Sequence, residues 1–152
     1  MTEVLAPCAG RVVSLAGVPD PVFAEEMVGP GLAIEPDPGR ATVVAPLSGT
    51  VVKVMPHAFV VLGRGIGVLV HLGINTVRLG GRGFDVLATQ GAEVAAGDPI
   101  VSWDPASLPE EVGGHRLSAV VPVVVMDAPR GSVRSDLVGT LVAAGDLLFD
   151  AG

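Results

Sequence analysis

The sequence predicts an all-β fold: an antiparallel β-sandwich, barrel-like in outline, with an internal pseudo-repeat and short helical turns. Three observations carry this. The 152 residues include 21 Gly and 13 Pro, which cut a Val-rich apolar set into short runs of strand length bounded by turn residues. Long helical patterns are hard to find. Finally, Ala6-Pro7-Cys8-Ala9-Gly10-Arg11-Val12-Val13 is echoed in register by Ala45-Pro46-Leu47-Ser48-Gly49-Thr50-Val51-Val52, and Val94-Ala95-Ala96-Gly97-Asp98 by Val142-Ala143-Ala144-Gly145-Asp146. A turn-then-strand unit used twice suits two similar sheets facing each other across one core.

Taken in order, Arg11 to Leu15 follows the first repeated turn and reads as a strand. Pro21 to Met27 is a candidate helical turn. Gly31 to Pro36 and Ala41 to Ala45 are apolar runs separated by a Pro- and Gly-containing break, and Gly49 to Val54 follows the second repeated turn. Ala58 to Leu62 and Gly67 to His71 flank Gly63-Arg64-Gly65-Ile66 and read as a hairpin with a three-residue loop. Ile100 to Trp103, Ala119 to Val125 and Leu147 to Asp150 complete the strands. Between the first two of these, Pro105 to Val112 could form a helical turn, with Ser107 and Glu110 at capping-box spacing. A chain of this length buries roughly 70% of its unfolded surface, so residues 1–152 are expected to form one domain without a disulfide or metal staple.

The charge balance narrows the function classes. With 9 basic against 16 acidic residues and a net charge of −7, the chain lacks the excess of cations that neutralises phosphates, so nucleic acid is not an expected partner. A basic or neutral partner is. Mean hydropathy is +0.62, yet the longest strongly apolar run, Leu117 to Met126, ends at Arg116 and Asp127 and contains Pro122. That is too short to span a bilayer, and no membrane insertion is expected. Glu3 stands where a basic leader would begin, so no signal peptide is expected. The lone Cys8 rules out a disulfide framework and suits a reducing compartment, so a cytoplasmic location is expected.

Reactive side chains are scarce: three His, one Cys and one Lys. There is no Gly-x-Ser-x-Gly elbow, and the only lysine, Lys53, lies in Val51-Val52-Lys53-Val54 rather than in a phosphate-cradling loop. His115 sits in Gly113-Gly114-His115-Arg116 and reads as solvated surface. His57 and His71 lie equally far from Arg64. A loop centred there pairs them directly, with Cβ atoms about 5 Å apart on one face of the sheet, whereas a shift of one residue would separate them. Two adjacent imidazoles offer a neutral ring nitrogen as nucleophile toward phosphorus and a second ring to stabilise the incoming oxygens. The alternatives are a metal site, incomplete with two histidines unless an outside ligand joins, and two ordinary structural histidines.

At these residues the sequence resembles a known family. Val22-Phe23-Ala24-Glu25-Glu26-Met27-Val28-Gly29-Pro30-Gly31, Ala45-Pro46-Leu47-Ser48-Gly49-Thr50-Val51, His57-Ala58-Phe59 and Val70-His71-Leu72-Gly73-Ile74-Asn75-Thr76-Val77 are similar to the glucose-type enzyme IIA domain of the bacterial phosphoenolpyruvate-dependent sugar phosphotransferase system. The resemblance continues through Gly83-Phe84, Gly97-Asp98 and Pro122-Val123-Val124 to Gly145-Asp146. It implies an antiparallel β-sandwich in which His71 takes a phosphoryl group from the carrier protein HPr. The group would pass to a cysteine of the EIIB domain of a glucose, N-acetylglucosamine or β-glucoside-type permease, and no cofactor would be required. His57 would stabilise the phosphoryl group. Val22, Val28, Met55, Phe59, Leu69 and Val77 would form an apolar docking rim, with Asp20 and Asn75 at its polar positions. Asn75 stands where the family pattern has Asp, and Met55-Pro56 replaces a Thr-containing stretch.

A different class stays open beside it. Ala45-Pro46-Leu47-Ser48-Gly49-Thr50-Val51-Val52-Lys53-Val54 also looks like part of a biotinyl or lipoyl carrier domain, but Lys53 lacks the Met-Lys-Met surroundings and reads as mid-strand rather than at a hairpin tip. A non-catalytic binding module is the third possibility.

Overall fold

The computed structural model describes residues 2–151. The strands are β1 (Thr2–Leu5), β2 (Gly10–Ser14), β3 (Gly31–Pro36), β4 (Ala41–Val44), β5 (Gly49–Met55), β6 (Ala58–Gly63), β7 (Ile66–His71) and β8 (Phe84–Val86). They continue with β9 (Glu93–Val94), β10 (Pro99–Trp103), β11 (Glu111–Val112), β12 (His115–Arg116), β13 (Val121–Val125), β14 (Leu141–Val142) and β15 (Leu147–Ala151). Every expected strand is present within two residues of its expected ends. β1, β8 and the two-residue strands lie outside the expected set.

All strand pairings are antiparallel. Eight strands form one sheet in the order β14-β2-β3-β13-β7-β6-β5-β9, beside smaller sheets β4-β10-β8, β1-β15 and β11-β12. Each repeat heads one half of the large sheet, β14-β2-β3-β13 and β9-β5-β6-β7, joined along β13 and β7, and both halves give buried side chains to one core, in the antiparallel β-sandwich the sequence predicts. The equivalence reaches single hydrogen bonds. Ala6 N–H donates to Asp146 O as Ala45 N–H donates to Asp98 O, and Gly145 N–H returns to Ala6 O as Gly97 N–H returns to Ala45 O. Asp146 and Asp98 each accept a backbone N–H three residues upstream at 2.8 Å. The two repeated turns are also bonded to each other, through Leu5 N–H to Pro46 O and Val44 N–H to Pro7 O.

The main core gathers buried residues from the large sheet, such as Val12, Ile34, Val61 and Val70, and from the small ones, such as Val4, Val43, Trp103 and Leu148. A second cluster lies on the other face of β3 and β13: Leu15, Val18, Phe23, Ala33, Ile74, Val120 and Val124. Because β13 is covered on both sides, all five of its residues are buried, and its run Val121–Val125 shows no polar alternation.

Among the described residues helix is confined to α1 (Pro21–Ala24) and 3-10 turns at Leu15–Gly17, Thr76–Leu79 and Pro105–Ser107. The Asp20 carboxylate accepts the Val22 N–H at 2.9 Å and Pro21 fills the first turn. α1 stops short of the expected Met27, with Glu26 in the left-handed region at φ 54°. In the second helical segment the cap is Asp104, not Ser107. Pro109 disfavours a helical Leu108, which is extended at ψ 136°, and the chain continues into β11.

Candidate functional site

The site forms where β7, near the middle of the large sheet, ends at His71. The β6–β7 hairpin closes on a two-residue turn, Arg64-Gly65, with both residues at positive φ, 51° and 78°, as a type I′ turn demands. The expected three-residue loop is therefore replaced, and the register moves by one. His71 faces Ala58, and Phe59 faces Val70. His57 nonetheless meets His71, because it has left the ladder. It sits in the Pro56-His57 turn closed by the Met55↔Ala58 pair, where strand alternation no longer dictates its direction. The turn is fastened by Leu72 N–H donating to His57 O at 2.7 Å. The ring centroids lie 5.2 Å apart at 74°, edge to face.

His71 is held on two sides. Its Nδ1 lies 2.5 Å from the Gly73 carbonyl oxygen; a carbonyl only accepts, so Nδ1 carries the proton and Nε2 the lone pair. The Phe23 ring packs against it at a centroid distance of 5.1 Å. Burial pushes the His71 pKa below the usual 6.5, against the Gly73 bond and the Asp20 charge, which both pull upward. Burial also lowers His57, helped by the neighbouring His71. Both rings are thus neutral at neutral pH, as a nucleophilic nitrogen requires. Both are half-buried, so the pair is open to an incoming molecule. No hydrogen bond to the His57 ring forms among the described residues, and the Thr of the family pattern has no substitute there.

The turn after β7 is closely fixed. Gly73 has φ +84°, and a Cβ there would stand 2.6 Å from both Ser118 O and Thr76 Cγ2. Ile74 N–H donates to Ser118 O at 2.8 Å, and the buried Thr76 hydroxyl donates to Leu72 O at 2.7 Å. Asn75, in the left-handed region at φ 64°, donates from Nδ2 to Arg116 O at 2.8 Å.

The structure separates the residues expected at the rim. Val22 is 40% exposed and Val77 58%, while Val28 and Leu69 are half-buried against the second cluster. Met55 is half-buried at the His57 turn, and Asp20 is half-buried as the α1 cap. Phe59 is a correction: it is 0% exposed in the main core. In the observed register it faces Val70, on the side of the sheet opposite His71. The Asn75 amide is turned onto the chain itself rather than offered as a free polar group. Sequence reading missed Gly73 and Thr76, which fix His71 and its turn, and Phe23, which lies within the matched Val22–Met27 segment. It also missed Met27, 62% exposed.

The other reactive groups stand apart from the pair. Cys8 is buried, and burial, with a smaller push from Asp37, takes its thiol to about 12, so it is inert. His115 is exposed at a glycine turn in the β11–β12 hairpin. Lys53 lies within β5, opposite Val60, whereas the hairpin tips carry Pro56-His57 and Arg64-Gly65. Among the described residues no group of three or more His, Cys, Asp or Glu could hold a metal ion, and no helix is long and apolar enough to cross a membrane.

Comparison with known proteins agrees with this geometry. Residues 2–130 match the family described as phosphoenolpyruvate-dependent sugar phosphotransferase system, EIIA 1. The chain is 39% identical over 149 residues to the PTS system glucose-specific EIIBCA component of Corynebacterium glutamicum, covering 96% of this chain and 21% of that protein. It is 36% identical over 132 residues to the glucose-specific EIIA component of Staphylococcus aureus, covering 85% of this chain and 76% of that one. The glucose permease IIA of Mycoplasma capricolum superposes with a TM-score of 0.84 at 36% identity, over 97% of this chain and 94% of that one. The chain spans about a fifth of the length of multidomain relatives such as the C. glutamicum protein. By sequence and by fold, the chain belongs to the EIIA 1 family of the phosphoenolpyruvate-dependent sugar phosphotransferase system.

Proposed function

We propose that residues 1–152 act as one phosphocarrier domain, in which His71 accepts a phosphoryl group from phospho-HPr and hands it to a cysteine of a permease EIIB domain. The carrying observation is the His71 ring, neutral, half-buried and committed through Nδ1 to Gly73, which leaves one nitrogen for chemistry. The Nε2 lone pair attacks phosphorus in line. The bond between phosphorus and the donor histidine breaks, and its electron pair returns to the donor nitrogen. In the second step the EIIB thiolate attacks, and the electron pair of the new P–N bond returns to Nε2. His57, edge-on to His71, donates a hydrogen bond to the phosphoryl oxygens and steadies their charge.

Val22, Val28, Leu69, Met55 and Val77 supply apolar surface around the rings, which excludes water from a labile P–N bond. The acidic balance of the chain favours a basic donor surface. No cofactor takes part. The two imidazoles make half of a tetrahedral zinc site, so zinc would bind only with ligands from outside the chain. Exchange with HPr and a permease EIIB domain supports a cytoplasmic location, and the proposed sugar belongs to the glucose, N-acetylglucosamine and β-glucoside group. The position of Lys53 within β5 disfavours a biotinyl or lipoyl carrier.

Incubation with phosphoenolpyruvate, enzyme I and HPr tests this reading. The chain should gain one acid-labile phosphate, His71→Ala should gain none, and His57→Gln should accept the phosphate but pass it on poorly. Phosphate on His71→Ala, or undiminished onward transfer by His57→Gln, would refute the assigned roles.

A further inference from the structure

The tautomer of His71 depends on where one carbonyl is held. Gly73 O accepts the Nδ1 proton at 2.5 Å, and it belongs to a turn that forms no strand. One tie on that turn is local, the Thr76 hydroxyl on Leu72 O. The other two reach the distant segment 116–118: Ile74 exchanges backbone bonds with Ser118, and the Asn75 side chain adds one more. Asn75 Nδ2 donates to Arg116 O, in the β11–β12 hairpin, at 2.8 Å.

A carboxylate has no proton to donate to a carbonyl. The amide at 75, where the family pattern has Asp, thus makes a bond that the acid cannot. Asparagine also tolerates the left-handed conformation found here, φ 64°, so backbone and side chain both suit the position.

We propose that Asn75 is a positioning residue for His71: its amide anchors the 73–76 turn on the Arg116 carbonyl and so keeps Gly73 O on Nδ1, leaving Nε2 as the lone-pair nitrogen. This rests on reading His71 as the phosphoryl acceptor. It also gives Asn75 a role within the chain rather than toward a partner. Asn75 does not touch the reacting atoms; it acts through Gly73.

The test uses Asn75→Gly and Asn75→Asp in the full chain. Both residues accept a positive φ and both lack the donor, so backbone strain is held nearly constant. The readout is the ¹⁵N spectrum of labelled histidine above pH 7, where a protonated ring nitrogen and a lone-pair nitrogen resonate far apart. The unaltered chain should show His71 as the Nδ1–H form. In both variants the two His71 nitrogens should move toward each other as the Nε2–H form appears. Acceptance from phospho-HPr should fall about fivefold in kcat for Asn75→Gly, the worth of one net hydrogen bond, with KM unchanged. Val142→Ala, at the far edge of the large sheet, provides a destabilised control whose His71 signals should stay in place.

Unmoved His71 nitrogen signals in both variants would overturn the proposal, as would a rise in KM alone, which marks a partner contact. The same shift in Val142→Ala would also overturn it, since any loss of stability would then suffice. If the unaltered chain takes no phosphate on His71, the phosphocarrier reading fails, and the nitrogen signals still decide whether Asn75 sets the tautomer.

Discussion

Replacing Phe59 by alanine and Val77 by aspartate separates the core from the docking rim. Phe59 is 0% exposed and packs in the main core on the side of the sheet away from His71. Truncating a buried aromatic costs about 3–5 kcal/mol through lost transfer free energy and the cavity left behind. For a chain of this size, roughly 2–4 °C of melting temperature accompanies each kcal/mol, so Phe59→Ala should melt about 6–20 °C lower. Val77 is 58% exposed, so Val77→Asp should stay within about 0.5 kcal/mol of the parent. Covering that carboxylate in a docked complex leaves a desolvated charge, which should raise KM for phospho-HPr about tenfold, equivalent to about 1.4 kcal/mol. Differential scanning calorimetry and a phosphotransfer assay on the same preparations give both quantities. A Phe59→Ala protein melting within 2 °C of the parent would refute the buried assignment. Unchanged KM in Val77→Asp would remove that residue from the interface.

Lowered pKa values at His57 and His71 mean that the unfolded chain binds more protons than the native one just below the usual 6.5. Their contribution to stability is therefore complete above that pH and lost as pH falls through the native values; denaturant titrations of the parent and His71→Gln should differ in this slope. Phosphoryl acceptance should be flat above pH 6.5 and decline only below it, and a decline beginning above pH 7 would contradict neutral rings. Gly73→Ala forces a Cβ to within 2.6 Å of Ser118 O at φ +84°; it should cost about 2 kcal/mol or more and slow acceptance at least about tenfold by displacing the carbonyl on Nδ1, checked by urea denaturation and initial rates. Asp98→Ala and Asp146→Ala, which remove equivalent bonds to Ala95 and Ala143, should each cost about 1 kcal/mol, and a threefold disparity in denaturation would break the equivalence of the repeats.

Strand positions were legible because glycine and proline punctuate this chain so densely, and the repeated Pro-to-Val and Gly-Asp segments marked a doubled architecture. Which sheets the doubled parts belong to was not legible, since strand pairing joins residues far apart in sequence. The histidine pair was found from a register that the structure replaces, and the conclusion survived because His57 stands in a turn rather than on the ladder.

The same one-residue difference decided Phe59. Its segment, Ala58-Phe59-Val60-Val61-Leu62, is apolar at every position, so no alternation marks an inner face, and only the type I′ turn at Arg64-Gly65 sends Phe59 and Val61 inward. Residue type and short-range spacing were enough for nine of the strands, the repeat, the reactive histidines and the family they belong to. Tertiary structure alone decided which nitrogen of His71 is free, which apolar residues reach the surface and what Asn75 holds. The first depends on the turn that brings the Gly73 carbonyl onto Nδ1, and the other two on a sheet face or a backbone carbonyl supplied by a distant part of the chain.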